Sequence, residues 1–161
     1  MENTKVGMTL DDVDRLVHDH IVGQGAYPSC INFMRFPKSV CTSVNDVVSH
    51  GVPNDYVLRD GDYLNIDVTA YLNAFFGDTS AMVLLGNVHE DIVLLCEHTR
   101  KAMYSAIDAC GPGVPFSRIG EIIQDYAEEK GYFVNEEFGG HGVSTKMHMP
   151  PMIFNYKSAS Y

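Results

Sequence analysis

Residues 63 to 71 and 75 to 85 restrict the fold more than any other stretch of this chain. The first alternates apolar and polar side chains, the period-two signature of a strand half buried in a sheet, and the two together are the clearest strand pair in the chain. Only a short break separates them, so they read as an antiparallel hairpin, with Asp60-Gly61 as the turn that leads in. On the first strand Leu64, Ile66, Val68 and Ala70 share one face, and Asn65, Asp67 and Thr69 share the other. A turn at Leu72-Asn73 sets Asp67 opposite Asp78. A turn at Asn73-Ala74 sets Thr69 opposite Asp78 and leaves Asp67 diagonal. Either register places both carboxylates on one face, where like charges repel.

Two close carboxylates have a few stable arrangements. They share a proton, which raises one pKa, they pair with a cationic side chain, or they bind a metal. No Lys or Arg occurs between Asp62 and Leu85, although another segment can supply one. Hard oxygen donors suit divalent ions, and an added imidazole points to a first-row transition metal. A solvated acidic hairpin face is the plainer alternative. Three histidines bear on the choice. His50 precedes Gly51, His141 lies within Gly139–Gly142, and His148 stands two residues before Pro150. Each alone is more often a structural or surface histidine. Taken with the two aspartates, they bring metal-assisted chemistry into view. His18, His20, His89 and His98 lie on or near helices and receive no role.

The flanking sequence supplies helices. Residues 9 to 23 form an amphipathic helix with Leu10, Val13, Leu16, Val17 and Ile21 inward. Thr9 and Asp12 are spaced as a capping box, and Gly23 or Gly25 is the stop. Short strands are expected at Ser39–Val44 and Asp46–Ser49. A second helix covers 90 to 109, with Ile92, Cys96, Met103 and Ile107 as its buried stripe. A third runs from Ser117, as N-cap, to Lys130, with Ile119, Ile122, Ile123 and Tyr126 inward and Gly131 as the stop. Residues 13–27 and 119–133 match weakly as an internal repeat, aligning Gly25 with Gly131 and Tyr27 with Phe133. A His-Gly pair follows each copy, but only the first is followed by an acidic hairpin.

A formal net charge of -10 disfavours nucleic acid as a main partner, because phosphate binding needs a basic face, and it disfavours an anionic membrane surface. No apolar run is long enough to span a bilayer, and no secretory signal is evident at the N-terminus. The four cysteines show no CxxC pair. Reduced thiols in a cytoplasmic setting are the expectation, with an organellar form as the variant.

Three stretches carry a wider resemblance: AYPSCINFMRFPKSVCTSVNDVVSHGVP (26–53), DGDYLNIDVTAYLNAFFGDTS (60–80) and GGHGVSTKMH (139–148). Through them the chain resembles the type I methionine aminopeptidases of the pita-bread metallopeptidases, from about Val6 to Tyr156. The resemblance implies an α+β fold of two pseudo-symmetric α/β halves around a curved antiparallel sheet. Residues 1–161 are then a single incomplete catalytic domain, with an N-terminal half over about 6–110 and a partial C-terminal half over 111–161. It implies two divalent ions (Co, Mn, Fe or Zn) on five ligands. Three of these fall on Asp67, Asp78 and His141, with Asp78 bridging. His50 and His148 match histidines that contact substrate, and Cys30, Phe33, Phe36 and Cys41 match the part of the chain that shapes the methionine side-chain pocket. The expected substrate is the N-terminal methionine of nascent polypeptides, met as a monomer with the ribosome as a candidate contact.

The family's two remaining ligands are glutamates further along. The resemblance therefore implies a truncated chain with activity reduced or lost. A non-catalytic binding module, a partial gene product and a proline-directed relative such as prolidase are the competing readings. This sequence also departs from the family at Phe76, which stands where the family has His, and at Ser144, Met147 and Met149.

Overall fold

The computed structural model describes residues 3–158, which form two compact units. The first comprises the chain up to His89 together with Val143–Met147, and the second comprises Glu90–Gly142 and the chain from His148 on.

The first unit is built on the hairpin. Strand β3 (Tyr63–Leu72) is central and pairs along its whole length with β4 (Phe75–Leu84). Its other edge is shared by β1 (Tyr27–Pro28) and β2 (Cys41–Val44), both antiparallel to it. Helix α1 (Leu10–Gly23) packs on this sheet, and its buried Leu10 and Val13 join Val40, Leu58, Leu64, Ile66 and Leu85 in one apolar cluster. Leu64 and Ile66 come from the sheet face that period-two alternation assigns to the core.

The capping box is present. The Asp12 N–H donates to Thr9 Oγ1 and the Thr9 N–H donates to Asp12 Oδ2, each at 3.0 Å. Thr9→Ala removes one acceptor and is expected to cost about 1 kcal/mol, read as a lower urea midpoint with an unchanged slope.

Three expected element assignments need correction. Residues 46–49 are not a strand, because Asn45 adopts a left-handed φ of 53° and turns the chain out of the ladder. Strand β2 begins at Cys41 rather than Ser39, because the Ser39 N–H donates to the Asp14 side chain (2.7 Å) instead of to a strand. The third helix begins with Phe116 as its N-cap, without a side-chain bond, and Ser117 is its first residue.

In the second unit, α2 (Glu90–Asp108) packs against α3 (Ser117–Glu129), and α3 packs against β6 (Met149–Phe154), the partner of β5 (Gly139–Gly142). The buried line of α2 is Ala102 and Ala106, while Met103 and Ile107 are 45% and 53% exposed. The small residues, not the large ones, face the packing surface. His98 Nδ1 and the Tyr126 hydroxyl meet at 3.0 Å across α2 and α3. The glycines that follow α1 and α3, Gly25 and Gly131, both have left-handed φ, 72° and 80°. The two helices of the sequence repeat therefore end in the same way.

Candidate functional site

The hairpin turns at Asn73-Ala74, both left-handed (φ 51° and 71°), as a two-residue turn matched to strand twist requires. This selects the second of the two registers. Thr69 lies opposite Asp78, and Asp67 lies opposite Ser80. The two aspartates are diagonal neighbours on one face, the face opposite Leu64 and Ile66. Both are half-buried.

Two thiols adjoin them. Along the edge of β3 the ladder runs from Tyr27↔Tyr71 and Pro28↔Ala70, through a bond from the Ser29 N–H to the Thr69 carbonyl (2.9 Å), directly to Cys41↔Asp67. Only ladder position 68 separates these steps, so residues 31–40 loop out of an otherwise continuous edge strand with Cys30 and Cys41 at the neck. The two thiols lie close enough to influence each other's ionisation. The interaction with Cys41 lowers the Cys30 thiol first. Burial and the Asp67 charge oppose it, bonds from the Thr69 backbone and side chain assist it, and the result is about 7. Cys41 is pushed well above the ordinary thiol range, first by that same interaction, then by burial, then by negative charge at Cys30, Asp67 and Asp78. Both carboxylates are thus close enough to act on one sulfur.

The loop is held by its returning limb. Lys38 Nζ donates to Asp11 Oδ1 (2.6 Å), the Ser39 N–H to Asp14 Oδ1 (2.7 Å), and Ser39 Oγ meets His18 Nδ1 (2.8 Å). Asp11, Asp14 and His18 lie on one side of α1. At the tip, Asn32, Met34 and Arg35 take left-handed φ and Met34 is 87% exposed. Phe33 is exposed and Phe36 half-buried, so the two predicted pocket aromatics sit on this tip.

His50 is exposed, with a left-handed φ of 55°. The next residue fixes its position. The Thr42 N–H donates to the Gly51 carbonyl (2.8 Å) and the Gly51 N–H donates to Ser43 Oγ (3.1 Å). A Cβ on Gly51 would fall 2.1 Å from the Thr42 carbonyl oxygen, so only glycine permits this approach.

In the second unit β5 carries His141, whose ring centroid is 4.3 Å from that of His148. His141 Nδ1 bonds the Gly142 carbonyl oxygen at 3.0 Å. A carbonyl only accepts, so Nδ1 carries the proton and a neutral ring keeps its lone pair on Nε2, the arrangement of a metal-ligating histidine.

The structure thus gathers Asp67, Asp78, Cys30 and Cys41 in the first unit, and His141 with His148 in the second. Among the described residues no group of three or more His, Cys, Asp or Glu forms a ready metal cage. The carboxylate pair still suits a hard divalent cation, because its oxygens share one sheet face and neither hairpin strand carries a cationic side chain. Thr69 stands opposite Asp78, as the second register expected, whereas Ser80, opposite Asp67, was not singled out from sequence; strand alternation puts it on the same face.

Comparisons place this geometry among known proteins. The chain is 46% identical over 154 residues to methionine aminopeptidase 1D, chloroplastic/mitochondrial, of Arabidopsis thaliana, covering 96% of this chain and 44% of that one. It is 44% identical to methionine aminopeptidase 2 of Mycobacterium tuberculosis, covering 93% of this chain and 53% of the relative. The crystal structure of a methionine aminopeptidase from Rickettsia prowazekii superposes with a TM-score of 0.95 at 40% identity, covering 98% of this chain and 63% of that one. The fold is therefore the pita-bread fold, mixed α and β with antiparallel sheets. The pattern of metallopeptidase family M24 matches residues 1–160, and the chain belongs to that family of metal-dependent peptidases. It spans about half the length of the curated relatives it matches. No helix among the described residues is long and apolar enough to cross a membrane.

Proposed function

We propose that these residues serve a metalloaminopeptidase that removes the N-terminal methionine from newly made polypeptides. The observation that carries the reading is the diagonal placement of Asp67 and Asp78 on one hairpin face, in a chain 44–46% identical to proteins named methionine aminopeptidases. In this reading Asp67, Asp78 and His141 would supply three of the five ligands to two divalent ions of the Co, Mn, Fe or Zn class. Bound metal lowers the pKa of water and polarises a carbonyl, which makes a nucleophile available near neutral pH. His50 would position the scissile amide, and His148 with His141 would stabilise the developing oxyanion. Cys30, Phe33, Phe36 and Cys41 line the methionine side-chain pocket, where polarizable walls suit a thioether. The protein works as a monomer on nascent chains in a reducing cytoplasm.

The test removes metal with a chelator, reloads Mn or Co, and measures retained metal after dialysis together with methionine release from Met-Gly-Met. Retained stoichiometric metal with methionine release supports the proposal. Metal without release supports a non-catalytic metal-bearing module. Cleavage confined to Xaa-Pro peptides moves the protein to the proline-directed enzymes, and failure to retain any metal overturns the site.

A further inference from the structure

We propose that Cys30 and Cys41 form an oxidisable clasp, a modification site at which a peroxide joins the two sulfurs and cinches the loop of residues 31–40 at its neck. The ladder brings the pair together. Ser29 bonds Thr69, Cys41 opposes Asp67, and the Cys30 thiol interacts with Thr69, Asp67 and Cys41, so both sulfurs belong to the part of the edge that faces Thr69 and Asp67. Disulfide formation needs Cα atoms within about 7 Å, the spacing expected of residues that leave and rejoin one strand edge within two positions. Cys96 lies on α2 and Cys110 just beyond its end, both in the second unit.

Exposure sets the order of events. Cys30 is half-buried and Cys41 is 7% exposed, so a small peroxide reaches Cys30 first. The Cys30 sulfur attacks one peroxide oxygen. The O–O bond breaks, Cys30 becomes a sulfenic acid, and the other oxygen leaves as water or an alcohol. The Cys41 sulfur then attacks the sulfenic sulfur, the S–S bond forms, and the hydroxyl leaves as water with the Cys41 proton. The two thiols lose two electrons and the peroxide gains them. A dithiol reductant reverses the change.

The loop explains why the crosslink has an effect. Its returning limb is already tied to α1 through Lys38 and Ser39, while its tip carries the left-handed residues Asn32, Met34 and Arg35. Closing the neck fixes the remaining limb. Resting on the pocket assignment above, this makes the methionine pocket sensitive to oxidants.

The test treats the reduced full chain with hydrogen peroxide, alkylates it, and maps it by mass spectrometry. The expected result is loss of two of the four alkylatable thiols, a peptide linked through Cys30 and Cys41, and full recovery with dithiothreitol. Trypsin cleavage after Arg35 should leave the two fragments joined only in the oxidised form. Cys30→Ser and Cys41→Ser should each abolish the crosslink, with thermal melts confirming that both variants fold. Four thiols surviving peroxide, a crosslink through Cys96 or Cys110, or a sulfinic acid at Cys30 with Cys41 still free would overturn the proposal. None of these readouts involves peptide cleavage, so failure here is distinct from failure of the peptidase reading.

Discussion

Asp78→Ala is expected to weaken Mn or Co binding by more than about 100-fold, beyond the loss that removal of a residue supporting a ligand typically causes. Isothermal titration of the metal-free protein reads this directly. The same substitution removes one of two like charges that sit diagonally on a sheet face, so the metal-free hairpin should become no less stable, and by up to about 1 kcal/mol more stable. The two measurements together separate a metal site from a solvated acidic surface. A merely solvated pair predicts the stability change with no change in metal binding, and that outcome would remove Asp78 from the site.

Asp62→Ala is expected to lower the unfolding free energy by about 3 kcal/mol, because a buried carboxylate with several donors leaves them unpaired when it is removed. Asp62 is buried at the entry to β3. It accepts from Asn45 Nδ2 (2.9 Å), the Tyr56 hydroxyl (3.0 Å) and the Arg59 N–H (2.8 Å). Burial alone raises its pKa, but the three hydrogen bonds and the Arg59 charge outweigh it and leave the carboxyl below the ordinary value of 3.8. A depressed folded-state pKa gives stability that is fully present above that ordinary value and is lost as pH falls through the folded one. Asp62→Asn should therefore flatten the acid limb of the stability curve while keeping most of the packing. Chemical denaturation across the acid range reads both effects, and an unchanged acid limb would show that Asp62 does not carry it.

Features set by neighbours in sequence were readable beforehand. The α1 capping box needs only Thr9 and Asp12, three residues apart, and the shared face of Asp67 and Asp78 follows from strand parity in either register. The choice between registers was not readable, because it depends on which residues accept left-handed φ at the tip, and Ala74 does so against its ordinary preference. The buried line of α2 misled for another reason. Apolar periodicity picks out the bulky Met103 and Ile107, whereas helix packing selected the small Ala102 and Ala106. The Cys30–Cys41 neck was invisible, since no local pattern reveals that a strand leaves its ladder and rejoins it within two positions. The resemblance placed both cysteines near the substrate pocket but did not show that they touch.

The two-residue tip at Asn73-Ala74 has a consequence for how this hairpin can vary in length. Side chains alternate with a period of two, so wherever the tip keeps its two-residue turn, one residue added or lost beside it sends the whole outer strand to the opposite face. Asp78 would then point into the layer occupied by Leu64 and Ile66, and a core residue of β4 would replace it beside Asp67. Insertions and deletions here are thus constrained by parity. The hairpin tolerates changes by even steps, which preserve the acid pair, and a single-residue change separates the two carboxylates without altering either one.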